Sequence, residues 1–326
     1  MSRFDYASYF QRIRELERLV VAPEEVTWTE TYKRPEKETD VLLYLGCNVL
    51  ITPHLAREVI AVFQALGIRF EAVGGPQFCC GIVHHGQGDV EAGRRLAAAS
   101  VAKLESYGAP LVVMWCPSCN LHFDEVVLKE VAPGFGPAVT HATRFLADRA
   151  KELPFRVPVR RRAVVHTHIG RAQQESDAAA CRELLAVVPG LELVGSVSSP
   201  DLGYHCATPT SESARRAFMQ VRGRLLNEAR SLGADTLITI YHSCQREWCE
   251  AEEPDLEIRN YISLVAESLG CGADDRYKRL RNEPELDRAV AGSAERWSGY
   301  GWDAKRAEEV IQRHLRPSGS QATDNG

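Results

Sequence analysis

The chain has 326 residues, of which 44% are hydrophobic and 25% are charged, and its formal net charge is −5 at pH 7. This length and composition are typical of a folded protein with room for two domains. The negative charge and the absence of a Lys/Arg block argue against nucleic acid as a partner. No apolar run approaches the roughly 20 residues that span a bilayer, and no apolar signal core follows the start. We therefore expect a cytoplasmic protein with no membrane span.

Helices and strands alternate along the first half of the chain. Residues 4–20 have the apolar periodicity of an amphipathic helix, and residues 22–40 form a polar, proline-bearing arm. Short runs rich in Val, Ile and Leu after the arm predict strands. In chain order we predict a strand at 41–45, a helix at 53–66, a strand at 69–73, a helix at 89–107, a strand at 111–115, and helices to about 129 and at 140–153.

The second half repeats this alternation and is followed by a charged tail. In chain order it predicts a strand at 163–166, a helix at 175–187, a strand at 191–194, a helix at 211–232, a strand at 236–240 and a helix at 257–269. Strands separated by helices in this way are typical of parallel α/β layers. The tail to residue 316 is predicted to be helical, and the small polar residues 317–326 to be disordered.

Matching residues at a nearly constant offset show an internal duplication. Ser118-Cys119 and Ser243-Cys244 are 125 residues apart, and Cys80 and Cys206 are 126 apart. Because repeated units of this length each make a domain, we predict an α/β fold of two similar duplicated domains with pseudo-twofold symmetry, plus helical N- and C-terminal extensions. The predicted parts are an N-terminal helix and arm at 1–40, a first domain at 41–153, a second domain at 154–272, and a helical tail at 273–326.

Five cysteines in the first half lie just after an apolar run or beside a glycine, where strands end. They are Cys47, Cys79, Cys80, Cys116 and Cys119. A chain that is not secreted stays in a reducing compartment, so metal binding explains them better than disulfides. Thiolates select zinc, copper(I) or iron–sulfur clusters. The adjacent Cys79-Cys80 pair favours a multi-iron cluster, because one loop can then hold two metal atoms.

The elements Cys79-Cys80-Gly81 and Cys116-Pro-Ser-Cys119, with Cys47 upstream, resemble the cysteine-rich CCG domain of the catalytic B-type component of heterodisulfide reductase. Related components of sulfur-oxidising complexes and of glycerol-3-phosphate, lactate and glycolate oxidation complexes also carry this domain, and the family has two copies in tandem. The resemblance implies a noncubane [4Fe–4S] cluster held by the five cysteines. It also implies a ferredoxin-like [4Fe–4S] subunit and a flavin-containing subunit as partners, and a small thiol/disulfide or lipoyl-carrier substrate.

The second half departs from this motif. By the offsets, His168 stands where the first half has Cys47, His205 stands at Cys79, and Tyr241 stands at Cys116. A second cluster of the same kind is therefore not expected. His and Cys side chains together suit zinc, and the candidate second site comprises His168, His205, Cys206, His242 and Cys244. The alternative is an emptied site whose residues pack or line the substrate pocket.

Two histidines follow the Cys-Cys-Gly loop directly. His84 and His85 are candidate proton donors to a departing thiolate, or else a solvated or loop-bonding pair. The hypothesis that follows is a redox subunit acting on sulfur groups. One alternative is an electron-relay subunit of a lactate, glycolate or glycerol-3-phosphate oxidation complex. Another is a zinc-stabilised scaffold without redox turnover. Cys181, in an apolar helical pattern, is predicted to be a core thiol.

Overall fold

The structure, a computed structural model, describes residues 4–206 and 211–316. The end predicted to be disordered, 317–326, lies outside the described residues. Within the described ranges, none of the helices combines the length and the apolar character that crossing a membrane requires.

Two four-stranded parallel sheets form the centre of the molecule. The first contains β1 (Val41–Gly46), β2 (Phe70–Gly74), β3 (Leu111–Met114) and β4 (Ala138–His141), in the order β2-β1-β3-β4. The second contains β5 (Arg161–Thr167), β6 (Leu191–Ser198), β7 (Thr236–Thr239) and β8 (Glu257–Asn260), in the order β6-β5-β7-β8. The same order in both sheets confirms the predicted α/β fold of two similar units.

Helices connect the strands and form both extensions. Those up to the end of the first sheet unit are α1 (Tyr6–Val20), α2 (Pro53–Ala65), α3 (Ile82–Gly86), α4 (Val90–Glu105), α5 (Pro117–His122) and α6 (Ala142–Ala147), and a π-helical segment, Phe123–Val131, continues α5. The others are α7 (Ala172–Leu185), α8 (Glu212–Ser231), α9 (His242–Trp248), α10 (Tyr261–Leu269), α11 (Arg276–Asn282), α12 (Leu286–Ala291), α13 (Ala294–Gly299) and α14 (Ala304–Leu315).

Local sequence signals explain where several helices begin. Asp89 accepts a hydrogen bond from the backbone N–H of Ala92, which satisfies one free donor in the first turn of α4. Pro53 stands at the first position of α2, where a missing N–H costs nothing. The buried faces of these helices cover their sheets, and one hydrophobic core continues through both units.

Two edge strands correct the sequence prediction. Residues 140–153 and 257–269 were each predicted as a helix, but β4 and β8 occupy the start of these segments, and the helices α6 and α10 begin only after them. Both strands have four residues and mix polar with apolar side chains. They form at the sheet edge, where only one neighbouring strand is present. The helical pattern of the following residues therefore masked them.

The N-terminal helix and the C-terminal tail pack on each other and on the first unit. Nε2 of His314 lies 2.6 Å from Oε2 of Glu15, and Arg306 also pairs with Glu15. In the other direction, Tyr9 on α1 accepts a hydrogen bond from Nδ2 of Asn48, in the loop after β1. The two extensions thus lie beside the carboxyl edge of the first sheet.

Candidate metal centres

The five cysteines of the first half follow the carboxyl ends of three neighbouring strands. Cys47 comes directly after β1, and Cys79-Cys80 follows a short turn after β2. Cys116 and Cys119 follow β3 at the start of α5. Because β1 lies between β2 and β3 and the strands are parallel, these loops meet at one edge of the sheet. All five thiols are free and buried.

Hydrogen bonds join the thiols to one another. Cys47 bonds to Cys79, and Cys119 bonds to both Cys80 and Cys116. The bond with Cys79, reinforced by burial, raises the pKa of Cys47 well above its ordinary value, and the same bond lowers the pKa of Cys79. The bond with Cys119 likewise holds the pKa of Cys116 well below its usual range, against the effect of burial. The five side chains therefore form one interacting thiol site.

Two glycines let the backbone approach this site closely. Gly46 has φ +80°, and a Cβ there would lie 2.9 Å from Cβ of Cys116 and 3.1 Å from Sγ of Cys119. Gly81 has φ +84°, and its Cβ would lie 2.2 Å from the carbonyl oxygen of Gly93. Only glycine combines a positive φ with such close packing. The N–H of Gly81 also donates to Sγ of Cys79 at 3.4 Å.

A cavity of about 550 Å³ opens beside Cys79. Its walls come from α1, the turn before the Cys-Cys pair and the C-terminal tail, and the lining residues include Phe10, Arg14, Glu15, Arg18, His84, Trp302 and Arg306. Three arginines against one glutamate give this wall a positive charge. The segments outside the cysteine loops therefore form the mouth through which a solute reaches Cys79.

The structure separates the two candidate proton donors. His84 lines the cavity, and its ring stacks on Tyr6 with a centroid distance of 3.8 Å. Burial lowers the pKa of His84, and its Nδ1 has no hydrogen-bond partner among the described residues. His85 does not line the cavity, and its ring lies 5.2 Å from that of His122.

A second group of ligand-type atoms lies at the carboxyl edge of the second sheet. It consists of His166, His168, Cys206 and Cys244, whose ligand atoms all lie within 4.8 Å of one another, and all four side chains are buried. Nε2 of His168 is 3.2 Å from Sγ of Cys244 and 3.7 Å from Sγ of Cys206. Nε2 of His166 is 3.5 Å from Sγ of Cys206.

Two members of the predicted second site lie elsewhere. The side chain of His242 forms a hydrogen bond with Cys116 and helps to lower the pKa of that thiol. His205 interacts electrostatically with both Cys116 and Cys244, so it lies between the two groups. Tyr241, which stands at the position of Cys116, donates its hydroxyl to Asp177 at 2.9 Å. The two sites are thus close neighbours across the contact between the halves.

His166 is the one member of this group that the sequence analysis did not identify. It lies inside β5, where a histidine is readily taken for a packed side chain. A signal was present, because His166 and His168 are two residues apart, and alternate residues of an extended chain point to the same side. The comparison by offset considered only positions that hold cysteine in the first half.

Comparison with known proteins identifies the first of the two units. Residues 41–124 match the family model of the cysteine-rich domain called CCG. The first half of this chain carries a CCG domain. The five cysteines described above all lie within the matched residues, and so do Gly46 and Gly81, whereas the His/Cys group of the second half lies outside them.

The relatives of the CCG-domain chain include methanogen proteins named as a subunit of dihydromethanophenazine:CoB–CoM heterodisulfide reductase. Those of Methanosarcina barkeri and Methanosarcina mazei are each 26% identical over 262 residues, covering 75% of this chain and 63% of the relative. The chain thus spans less than two thirds of these relatives' length. Among solved structures, an aspartate racemase homologue from Pyrococcus horikoshii aligns with a TM-score of 0.34 and 11% identity, covering 71% of this chain and 97% of that one. A likeness at this level supports no functional inference.

Proposed function

We propose that this chain is the B-type catalytic subunit of a heterodisulfide-reductase-like complex and carries out thiol/disulfide redox chemistry. The observation that carries the proposal is the group of five buried, mutually bonded thiols beside a cavity that reaches Cys79. The relatives named as heterodisulfide reductase subunits support a redox activity on sulfur groups. We expect activity only in a complex, located in the cytoplasm.

The five thiols fit a noncubane [4Fe–4S] cluster as the cofactor. All are soft ligands, they come from three loops at one sheet edge, and the glycines beside them leave no space for other side chains. The residues that would hold it are Cys47, Cys79, Cys80, Cys116 and Cys119. When bound, the cluster would supply one-electron redox chemistry at sulfur.

The protein's own part in the reaction is to admit the substrate and to manage protons. Reduction of a disulfide to two thiols consumes two electrons and two protons. The positively charged wall around Arg14 and Arg18 favours a substrate that carries negative charge. Because burial lowers the pKa of His84, its neutral ring can accept a proton from a thiol and its conjugate acid can return one to a departing thiolate. His85 is the less well placed of the two candidates.

Electrons would pass between this chain and two further subunits. We propose a ferredoxin-like [4Fe–4S] subunit as the immediate partner and a flavin-containing subunit beyond it. A small thiol/disulfide or a lipoyl carrier is the proposed substrate. In the alternative complex, which oxidises lactate, glycolate or glycerol-3-phosphate, the same cluster would relay electrons without binding a sulfur substrate.

The test begins with anaerobically purified full-length protein. We expect a brown protein with about four irons per chain, and an electron paramagnetic resonance signal that changes on addition of the CoB–CoM heterodisulfide or dihydrolipoamide. Iron-containing protein whose signal responds to neither compound would favour the relay. Colourless protein that contains zinc without iron would overturn the cluster and leave only the zinc-stabilised scaffold.

A matched pair of histidine variants tests the proton donor. His84→Gln should lower turnover with the responding substrate by roughly 100-fold, the lower end of the usual range for general acid–base groups. His85→Gln should leave turnover nearly unchanged, because that ring does not line the cavity. Equal losses in the two variants, at unchanged iron content, would contradict the assignment to His84.

A further inference from the structure

We propose that the second half binds one zinc ion through Nε2 of His166, Nε2 of His168, Sγ of Cys206 and Sγ of Cys244. This site is separate from the five-thiol site and does not rest on the proposed redox function. Its ligand set differs from the one predicted from the sequence, because His166 replaces His205 and His242.

The distances among the four ligand atoms match tetrahedral zinc. With Zn–S of about 2.3 Å and Zn–N of about 2.0–2.1 Å, the edges of such a tetrahedron are about 3.3–3.8 Å long. The three nitrogen–sulfur distances in the group are 3.2, 3.5 and 3.7 Å. All four atoms lie within 4.8 Å of one another, which suits a single ion better than a cluster with ligands on separate metal atoms.

Hydrogen bonds behind the ligands prepare two of them for a metal. Nδ1 of His168 lies 3.0 Å from the carbonyl oxygen of Gly203, which can only accept. The proton of a neutral ring is therefore on Nδ1, and the lone pair of Nε2 points towards the two sulfur atoms. Nε1 of Trp248 donates to Sγ of Cys206 at 3.0 Å, a bond that stabilises a thiolate ligand.

The environment indicates a structural ion. The four side chains are 0–3% exposed, and Trp248 beside them is fully buried. Four protein ligands complete the preferred coordination of zinc and leave no open position for a substrate or a water. The ion would join the carboxyl end of β5 to the loop of Cys206 and to α9. We therefore expect it to stabilise the second half, in the place where the first half has its thiol site.

The experiment measures metal content and coordination on the full-length protein. We expect about one zinc per chain, with an X-ray absorption spectrum at the zinc edge that fits two nitrogen and two sulfur neighbours. Absence of zinc, or a shell of sulfur atoms alone, would overturn the proposal. An all-sulfur shell would identify zinc in the five-thiol site, so the spectrum of the unaltered protein decides even where a variant fails to fold.

Variants then assign the ligands. His166→Ala should lose zinc, whereas His205→Ala and His242→Ala should keep it. Loss of zinc in His242→Ala with retention in His166→Ala would overturn the ligand set. The readout is independent of iron, so failure of the proposed redox function leaves it unaffected, and failure of the zinc site leaves the iron result unchanged.

Discussion

The two sheets have the same strand order, but the loops at their carboxyl edges hold different ligands. In the first half, five thiols meet beside a cavity of about 550 Å³ that reaches Cys79. In the second half, two imidazoles and two thiols lie within 4.8 Å of one another, against the buried Trp248. One edge is open to a solute, and the other is closed.

This difference separates what the scaffold determines from what the loops determine. Parallel strands in the same order bring the same three loops together in both halves. The side chains on these loops then decide which metal can bind and whether a substrate can approach. Replacing Cys47 by His168 and Cys116 by Tyr241 removes two thiols from the second edge. We infer that one duplicated frame supports a redox site and a structural site side by side.

The strongest test of this comparison replaces the equivalent residues Cys80 and Cys206. Cys80→Ala should reduce iron from about four per chain to near zero and retain zinc, because Cys80 belongs only to the five-thiol group. Cys206→Ala should do the reverse, because Cys206 belongs only to the His/Cys group. Metal analysis of the two purified variants measures both effects.

Cys181→Ala is the control for this pair. Cys181 is a buried thiol on α7 and belongs to neither group, so the variant should retain both metals. Burial raises its pKa, as expected for a core thiol. If folded Cys80→Ala and Cys206→Ala each lost both metals, the two sites would not be independent and the comparison would fail.

A smaller effect is expected at the contact between the halves, where Asp177 of α7 meets β4 and α6. Its carboxylate accepts hydrogen bonds from Thr143 and Tyr241, each at 2.9 Å, and lies 3.1 Å from Nδ1 of His141. Asp177→Asn leaves these buried partners without their charge, so we expect a loss of about 3 kcal/mol in the free energy of unfolding. Urea denaturation measures it.

Asp201→Asn provides the comparison for that loss. Asp201 is exposed, and its ion pair with Arg224 spans 3.4 Å near the surface. Such pairs contribute little, so its loss should stay below about 1 kcal/mol. Similar losses in the two variants would mean that the buried network does not hold the halves together.

How far the sequence predicts this fold depends on where a strand lies in its sheet. The central strands β1, β3, β5 and β7 and their neighbours β2 and β6 were predicted, because their Val, Ile and Leu runs pack on covered faces. The edge strands β4 and β8 were missed, since short edge strands carry polar residues that resemble the start of a helix.

For the sites, the sequence was informative where the motif is local. The spacing of the five cysteines predicted that they meet, and the structure brings them together. The contact of His242 with Cys116 depends on how the halves pack, which no local pattern encodes. His166 was overlooked because its neighbours in sequence belong to a strand, and only the fold brings Cys206 to it.

A change in redox potential should follow when the link between the two edges is cut. His242→Phe removes the hydrogen bond to Cys116, which stabilises negative charge on that sulfur. Because hydrogen bonds to ligand sulfurs help to set cluster potentials, the midpoint potential should become more negative while iron content stays unchanged. Redox titration of the purified protein measures the shift.

The matched control is Ser243→Ala, one residue along the same loop. The Ser243 hydroxyl is buried and has no hydrogen-bond partner among the described residues, so its removal should leave the potential unchanged. An equal shift in both variants would mean that the loop position, and not the bond to Cys116, determines the effect.

The smallest expected effect is a pH dependence at the same contact between the halves. Burial opposes protonation of His141, but the charge of Asp177 outweighs it, so the folded-state pKa of His141 is raised. Its contribution to stability is fully present below the unfolded pKa of about 6.5 and is lost as pH rises through the folded pKa. The folded pKa of Asp177 is lowered, so its contribution is present above about pH 3.9 and is lost as pH falls through that pKa. The pair should therefore stabilise most between about pH 4 and pH 6.5, and the difference in unfolding free energy between the unaltered protein and His141→Asn should shrink above that window. A difference that grows as the solution becomes alkaline would show that His141 acts there as a neutral hydrogen-bonding group.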